Sequence, residues 1–203
     1  MKNTESFIPD FKELGLLMLG FLPWMLFLFL SGHTMTSLKI AIVISLVATV
    51  ILGYGDLKRG FILSWGTFIF FLICLIMIDF LNNEWLAMEM DLVSNVSLAG
   101  IMWFTVLIGK PFALQYARLG MPKESWNDLS FIRGCRFITV VWACLMTFAV
   151  LISILKRTTW LPFPTWVYFD LTLLNIVVGL AFTTIFKRKK RLQRELATTA
   201  ASR

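Results

Sequence analysis

From Phe61 to Leu81 the chain runs on with a single charged side chain, Asp79. About 20 apolar residues, each rising about 1.5 Å, carry a helix across about 30 Å of hydrocarbon. Five further stretches share this character: Leu14 to Leu30, Leu38 to Tyr54, Leu92 to Gly109, Ile132 to Leu155 and Trp166 to Phe186. A backbone in lipid must pair its polar groups within itself. Long unbroken runs do so as helices, whereas strand barrels read as short alternating segments. Composition agrees. Hydrophobic residues make up 58%, charged residues 15%, and the mean hydropathy is +0.79. Soluble domains carry about 25% charge. These values exclude a soluble enzyme, a disordered chain, a fibrous repeat and a disulfide scaffold. The expected fold is an all-α polytopic membrane protein with six transmembrane helices. One domain spans residues 1–186, and a basic cytoplasmic tail follows over 187–203.

The first run reads as a retained span. Leu30-Ser31-Gly32-His33 is a poor cleavage site, and Asp10 and Glu13 stand where a leader would be basic. Orientation follows from the bases. With six spans, sixteen of the 19 Lys and Arg fall on one side, in the N-terminus, the turn at Lys58 and Arg59, the connection from Lys110 to Arg136, and the tail. Lys39, Lys156 and Arg157 fall on the other. Cytoplasmic loops carry the excess of Lys and Arg, so both termini are expected in the cytoplasm. The net charge of +7 therefore encodes topology and contact with anionic lipid, not nucleic-acid binding.

The connection after the fourth span reads Gly109-Lys110-Pro111-Phe112-Ala113-Leu114-Gln115-Tyr116-Ala117-Arg118. Pro111 suits the first position of a helix, and Phe112, Tyr116 and Leu119 share a face at helical spacing. This predicts a short interfacial helix on the inner membrane surface. Lys110, Pro111, Phe112, Gln115, Tyr116 and Arg118 are its candidate docking or anchoring residues. Arg133 and Arg136, three apart at the mouth of the fifth span, either reach lipid phosphate or pair with Glu124 or Asp128. Lys187, Arg188, Lys189, Lys190 and Arg191 follow the last span directly and are expected on anionic lipid.

Catalytic constellations are missing from the sequence. The one histidine, His33, excludes a bis-His haem or HExxH zinc site and reads as solvated in an outer turn. Cys74, Cys135 and Cys144 form no CxxC pair and read as small buried hydrophobes. No phosphate-binding glycine loop and no nucleophile elbow is present. No cofactor is expected. Ionisable and amide side chains within spans remain. Asp79, Asn95, Asp170 and Asn175 fall at similar depth toward the outer side. They form either a shallow site for a cation, a proton or a polar headgroup, or ordinary contacts to the interface and between helices. A close Asp79–Asp170 pair and an Asp170 contact to Lys156 or Arg157 are the competing arrangements.

The order of Lys110-Pro111, Trp126, Trp142 and Trp166-Val167-Tyr168-Phe169 resembles the intracellular septation protein A family of bacterial inner-membrane proteins. Gly109 to Arg118 resembles uncharacterised bacterial multi-span proteins with a Gly-[Lys/Arg]-Pro-Phe-x-Leu-Gln-Tyr-Ala-Arg signature. The resemblance covers roughly Thr36 to Phe186. It departs at Asp170, where the septation family favours a base, and in the longer basic tail. It implies a small polytopic protein of the cell envelope with no established catalytic residues. The expected function is accordingly non-enzymatic: partner docking with other inner-membrane envelope proteins, or lipid organisation. A small-molecule, ion or lipid transporter or channel with an outward-facing polar site is the alternative.

Overall fold

The computed structural model describes residues 8–32, 34–120, 123, 126–157 and 165–201. For 8–14, 16–17, 165–166, 168–170 and 190–201 it describes the backbone alone. Among the described residues there is no strand. The helices are α1 (Ile8–Leu30), α2 (Met35–Lys58), α3 (Ile62–Cys74), α4 (Glu84–Met88), α5 (Met90–Leu107), α6 (Phe112–Gly120), α7 (Leu129–Arg157) and α8 (Thr165–Ala201). A π-helical segment, Leu75–Phe80, extends α3. Five of these helical stretches are long and apolar enough to cross a membrane: α2, α3 with its extension, α5, α7, and Leu171–Lys189 of α8. The described apolar part of α1 is the shorter Met18–Leu30. The chain is an all-α polytopic membrane protein. It divides into two compact units, Met1–Val150 and Leu151–Arg203, with the boundary inside α7.

Local chemistry sets the helix ends in the first unit. Thr34 caps α2 reciprocally: its Oγ1 accepts from the Ser37 N–H, while the Ser37 hydroxyl accepts from the Thr34 N–H. At the far end of α2, Gly60 adopts φ +74°. Phe61 N–H then donates to Asp56 C=O and Gly60 N–H to Leu57 C=O. This left-handed closure satisfies terminal carbonyls and favours glycine, which has no Cβ to clash. α5 ends the same way at Gly109 (φ +70°), with Lys110 N–H donating to Thr105 C=O. Both turns lie at one end of this unit, since α2 and α5 run toward it and α3 and α7 run away from it.

The core of the first unit is aromatic. The Phe21 and Trp142 rings stack with centroids 5.0 Å apart, and Phe21 meets Phe112 edge-on at 5.9 Å. Trp24 stacks on Phe70 at 4.9 Å, and its indole N–H donates to Thr67 Oγ1 at 2.8 Å inside the core. Thr67 in turn donates to Leu63 C=O. The hydroxyls of Thr49 and Thr139 likewise return to the carbonyl one turn back, the ordinary way to satisfy a buried threonine in a helix. The opposite faces are aliphatic and exposed. On α2 they read Ile40, Val43, Val47, Ile51 and Tyr54, a stripe at helical spacing suited to lipid.

Three features depart from the sequence reading. The span after Phe61 does not end as a regular α-helix. It widens over Leu75–Phe80, so Leu81 N–H reaches back to Ile76 C=O and Asn83 N–H to Met77 C=O. The acidic connection beyond it forms the short helix α4, capped by the Asn83 side chain accepting from Leu86 N–H. The basic tail is a continuation of α8 to Ala201. Lys187 to Ala201 contains no Gly or Pro and is rich in strong helix formers, so nothing stops the helix.

Candidate functional site

The connection from Gly109 to Arg118 forms a polar cluster within the first unit. Its helix exists where expected, but it does not lie on the surface. Phe112 and Tyr116 are buried to 0% and 1% exposure, and Pro111, Ala113, Leu114 and Ala117 are buried beside them. The apolar face that seemed suited to lipid is covered by the chain itself. α6 packs against α1 and α5, Phe112 meets Phe21, and Phe61 meets the Tyr116 ring edge-on at 5.1 Å. Leu119, the third member of that face, is exposed.

The polar side chains of α6 tie it to both neighbouring turns. Gln115 Oε1 accepts from Ile62 N–H, the first N–H of α3, which Phe61 cannot cap with its own side chain. Gln115 Nε2 donates to Lys110 C=O and closes the turn before α6. Ala113 N–H, one of the unpaired donors of the first turn, donates to Thr139 Oγ1 on α7. Tyr116 Oη lies 3.2 Å from Ser64 Oγ, with the Asp56 carboxylate near enough for its charge to act on the phenol. Burial, reinforced by the Asp56 charge, holds this phenol above the ordinary tyrosine range. Asp56 also pairs with Arg59 at 3.5 Å. Space for Tyr116 comes from Gly20, where an added Cβ would lie 2.6 Å from Oη. Gln115, Tyr116 and the Ala113 N–H thus fasten the signature to α3 and α7.

Arg118 ends the cluster differently. Its guanidinium stacks over Trp126 at 5.5 Å from the ring centroid, and Nη2 donates to Trp126 C=O at 3.4 Å. Its Nε is buried with no acceptor. Lys110 is exposed, as are Arg133 and Arg136 on the first turns of α7. Neither of the two arginines pairs with Asp128, whose carboxylate instead accepts from Ser130 N–H and caps α7. Glu124 lies outside the described residues. In the second unit, Lys187 is half-buried while Arg188 and Lys189 are exposed. The side chains of Lys190 and Arg191 lie outside the described residues, as does that of Asp170.

Of the four outer polar candidates, Asp79 and Asn95 lie in the first unit and Asn175 in the second, while the Asp170 side chain lies outside the described residues. Asn95 Nδ2 donates to Asp91 C=O within its own helix. Asn175 is buried in α8 of the second unit. Asp79 sits in the π-helical segment, feels the charge of Lys39, and has a buried Oδ2 with no hydrogen-bond partner. Lys39 Nζ donates to Asn82 Oδ1 at 2.8 Å. Lys39 and Asn82 are thus the companions of Asp79 that sequence reasoning missed. The one available signal was Asn82 itself, since asparagine tolerates the left-handed φ of 48° found there. No group of three His, Cys, Asp or Glu side chains among the described residues could hold a metal ion.

No family model, no curated protein and no solved structure matches the chain.

Proposed function

We propose that this is a non-enzymatic multi-pass protein of the bacterial inner membrane that serves the cell envelope by organising anionic lipid and docking partner proteins. One observation carries this reading. The polar groups of the α6 junction are committed to holding helices together, while the bases around it, Lys58, Arg59, Lys110, Lys123, Arg133 and Arg136, are exposed at one end of the first unit. A rim of exposed cations above aliphatic helix faces suits anionic headgroups. The septation-family resemblance points to the same compartment and the same absence of chemistry. In this reading the buried face of α6 is not the docking surface. Partners meet Lys110, the rim and the helical extension of α8. Photo-crosslinking in native membranes from positions 110 and 188 tests it. Envelope-synthesis or division proteins should be recovered, and recovery of lipid alone would remove the docking half of the proposal.

Asp79 favours a second reading, an ion, small-molecule or lipid transporter with an outward-facing polar site. A carboxylate oxygen without a hydrogen-bond partner, in a widened helical turn beside a lysine, is the type of intramembrane group that marks ion and proton pathways. Reconstituted vesicles decide: a pH- or cation-driven flux abolished by Asp79→Asn establishes transport, and no flux above protein-free vesicles dismisses it.

A further inference from the structure

The α6–α7 corner contains a cation that the fold holds in place and does not neutralise. The Arg118 guanidinium lies over the Trp126 indole, 5.5 Å from its centroid, and Nη2 donates to Trp126 C=O at a long 3.4 Å. Nε is buried and unpaired. No carboxylate among the described residues reaches it. The Asp128 carboxylate accepts from Ser130 N–H at the N-terminus of α7. A buried guanidinium N–H without an acceptor is costly, and the cost is removed when an anion supplies oxygens in the plane of the fork. The surroundings are basic. Lys123 begins the turn that presents Trp126, through Trp126 N–H donating to Lys123 C=O, and its side chain is exposed. Arg133 and Arg136 follow on one face of α7, exposed and unpaired. Trp126 belongs to the residue type that settles at headgroup depth.

We propose that Arg118, braced by Trp126 and flanked by Lys123, is a specific phosphate-binding site occupied by the headgroup of an anionic phospholipid. The site deepens the lipid half of the proposed function and does not depend on protein docking, so failure of partner capture leaves it standing. The ligand is a phosphate oxyanion. Arginine suits it better than lysine because the planar fork donates in two directions at once.

Native mass spectrometry of the full chain in detergent, titrated with dioleoyl-phosphatidylglycerol or with dioleoyl-phosphatidylcholine, tests the assignment. Wild type should retain one phosphatidylglycerol preferentially. Arg118→Gln should lower that retention about tenfold, the loss of one charge-assisted hydrogen bond. Arg118→Lys keeps the charge and guards against a folding artefact; it should fall between the two. A parallel titration with inorganic phosphate separates the sources. Arg118-dependent binding of phosphate with no lipid preference would overturn the headgroup and assign the site to a soluble anion. Equal retention by wild type, Arg118→Gln and Arg118→Lys would overturn the site altogether.

Discussion

Gly20 on α1 and Tyr116 on α6 are in a lock that leaves no room for one carbon: a Cβ at position 20 would stand 2.6 Å from the Tyr116 hydroxyl and 3.0 Å from Cζ. Tyr116 cannot easily yield. Its hydroxyl is held by Ser64, and its ring meets Phe61 edge-on. Gly20→Ala should therefore cost about 1–3 kcal/mol, the ordinary penalty for overpacking a core. Tyr116→Phe removes the nearest atom but strands the Ser64 hydroxyl. In a double-mutant cycle the pair should be less damaging than the sum, with a coupling of about 1 kcal/mol. Apparent Tm in detergent micelles reads all four corners, and strict additivity would show that the two residues do not meet.

Trp24 and Thr67 provide a test of the asymmetry of buried hydrogen bonds. Thr67→Val should leave the indole N–H orphaned in the core and cost about 1–3 kcal/mol, whereas removing both partners should cost less than that single change predicts. Thermal unfolding of Thr67→Val, Trp24→Phe and the combination measures it. A Thr67→Val protein as stable as wild type would mean the indole finds another acceptor.

Asn82 sits at φ 48° and receives the Lys39 ammonium. Asn82→Gly keeps the conformation and loses the bond, while Asn82→Val loses both. The valine variant should be the less stable by about 1–2 kcal/mol, the cost of forcing a Cβ into the left-handed region. Equal Tm values for the two would remove the conformational argument.

Of the three cysteines, Cys74 and Cys135 are buried and Cys144 is exposed, midway along α7. In native membranes a lipid-soluble maleimide should label Cys144 alone, and a membrane-impermeant maleimide should label none. Mass spectrometry of tryptic peptides reads the sites. Labelling of Cys144 by the impermeant reagent would place that face of α7 in water.

Topology has its own measurement. Alkaline phosphatase fused after Trp85 should be active, and after Arg203 inactive, if the basic end lies in the cytoplasm. The reverse pattern would invert the molecule and move Arg118 to the outer leaflet.

The spans were legible because a bilayer leaves a chain few choices, and a run such as Phe61 to Leu81 states its length directly. The α6 helix was legible too, from Pro111 and the spacing of Phe112 and Tyr116. Its depth was not. Periodicity tells which face is apolar but not what covers it, and the cover here comes from Gly20 and Phe21, far away in the chain. The same limit applied to Asp79. Depth along a span can be counted, so acids at similar height look like partners. Which helix lies alongside cannot be counted, and within the first unit the segment of Asp79 packs against α2, the helix that carries Lys39. The widening of the helix over Leu75–Phe80 has no compositional mark at all.

The unbroken length of α8 has a mechanical consequence. From Lys187 to Ala201 the helix projects roughly 20 Å beyond its last apolar turn, at about 1.5 Å per residue. A flexible tail would decouple whatever grips its end from the span. A stiff one acts as a pointer. If the buried part leans by about 10°, an ordinary excursion for a membrane helix, the tip sweeps sideways by roughly 4 Å. Changes in bilayer thickness or in the packing of this span are thereby converted into displacement of a charged rod in the aqueous phase.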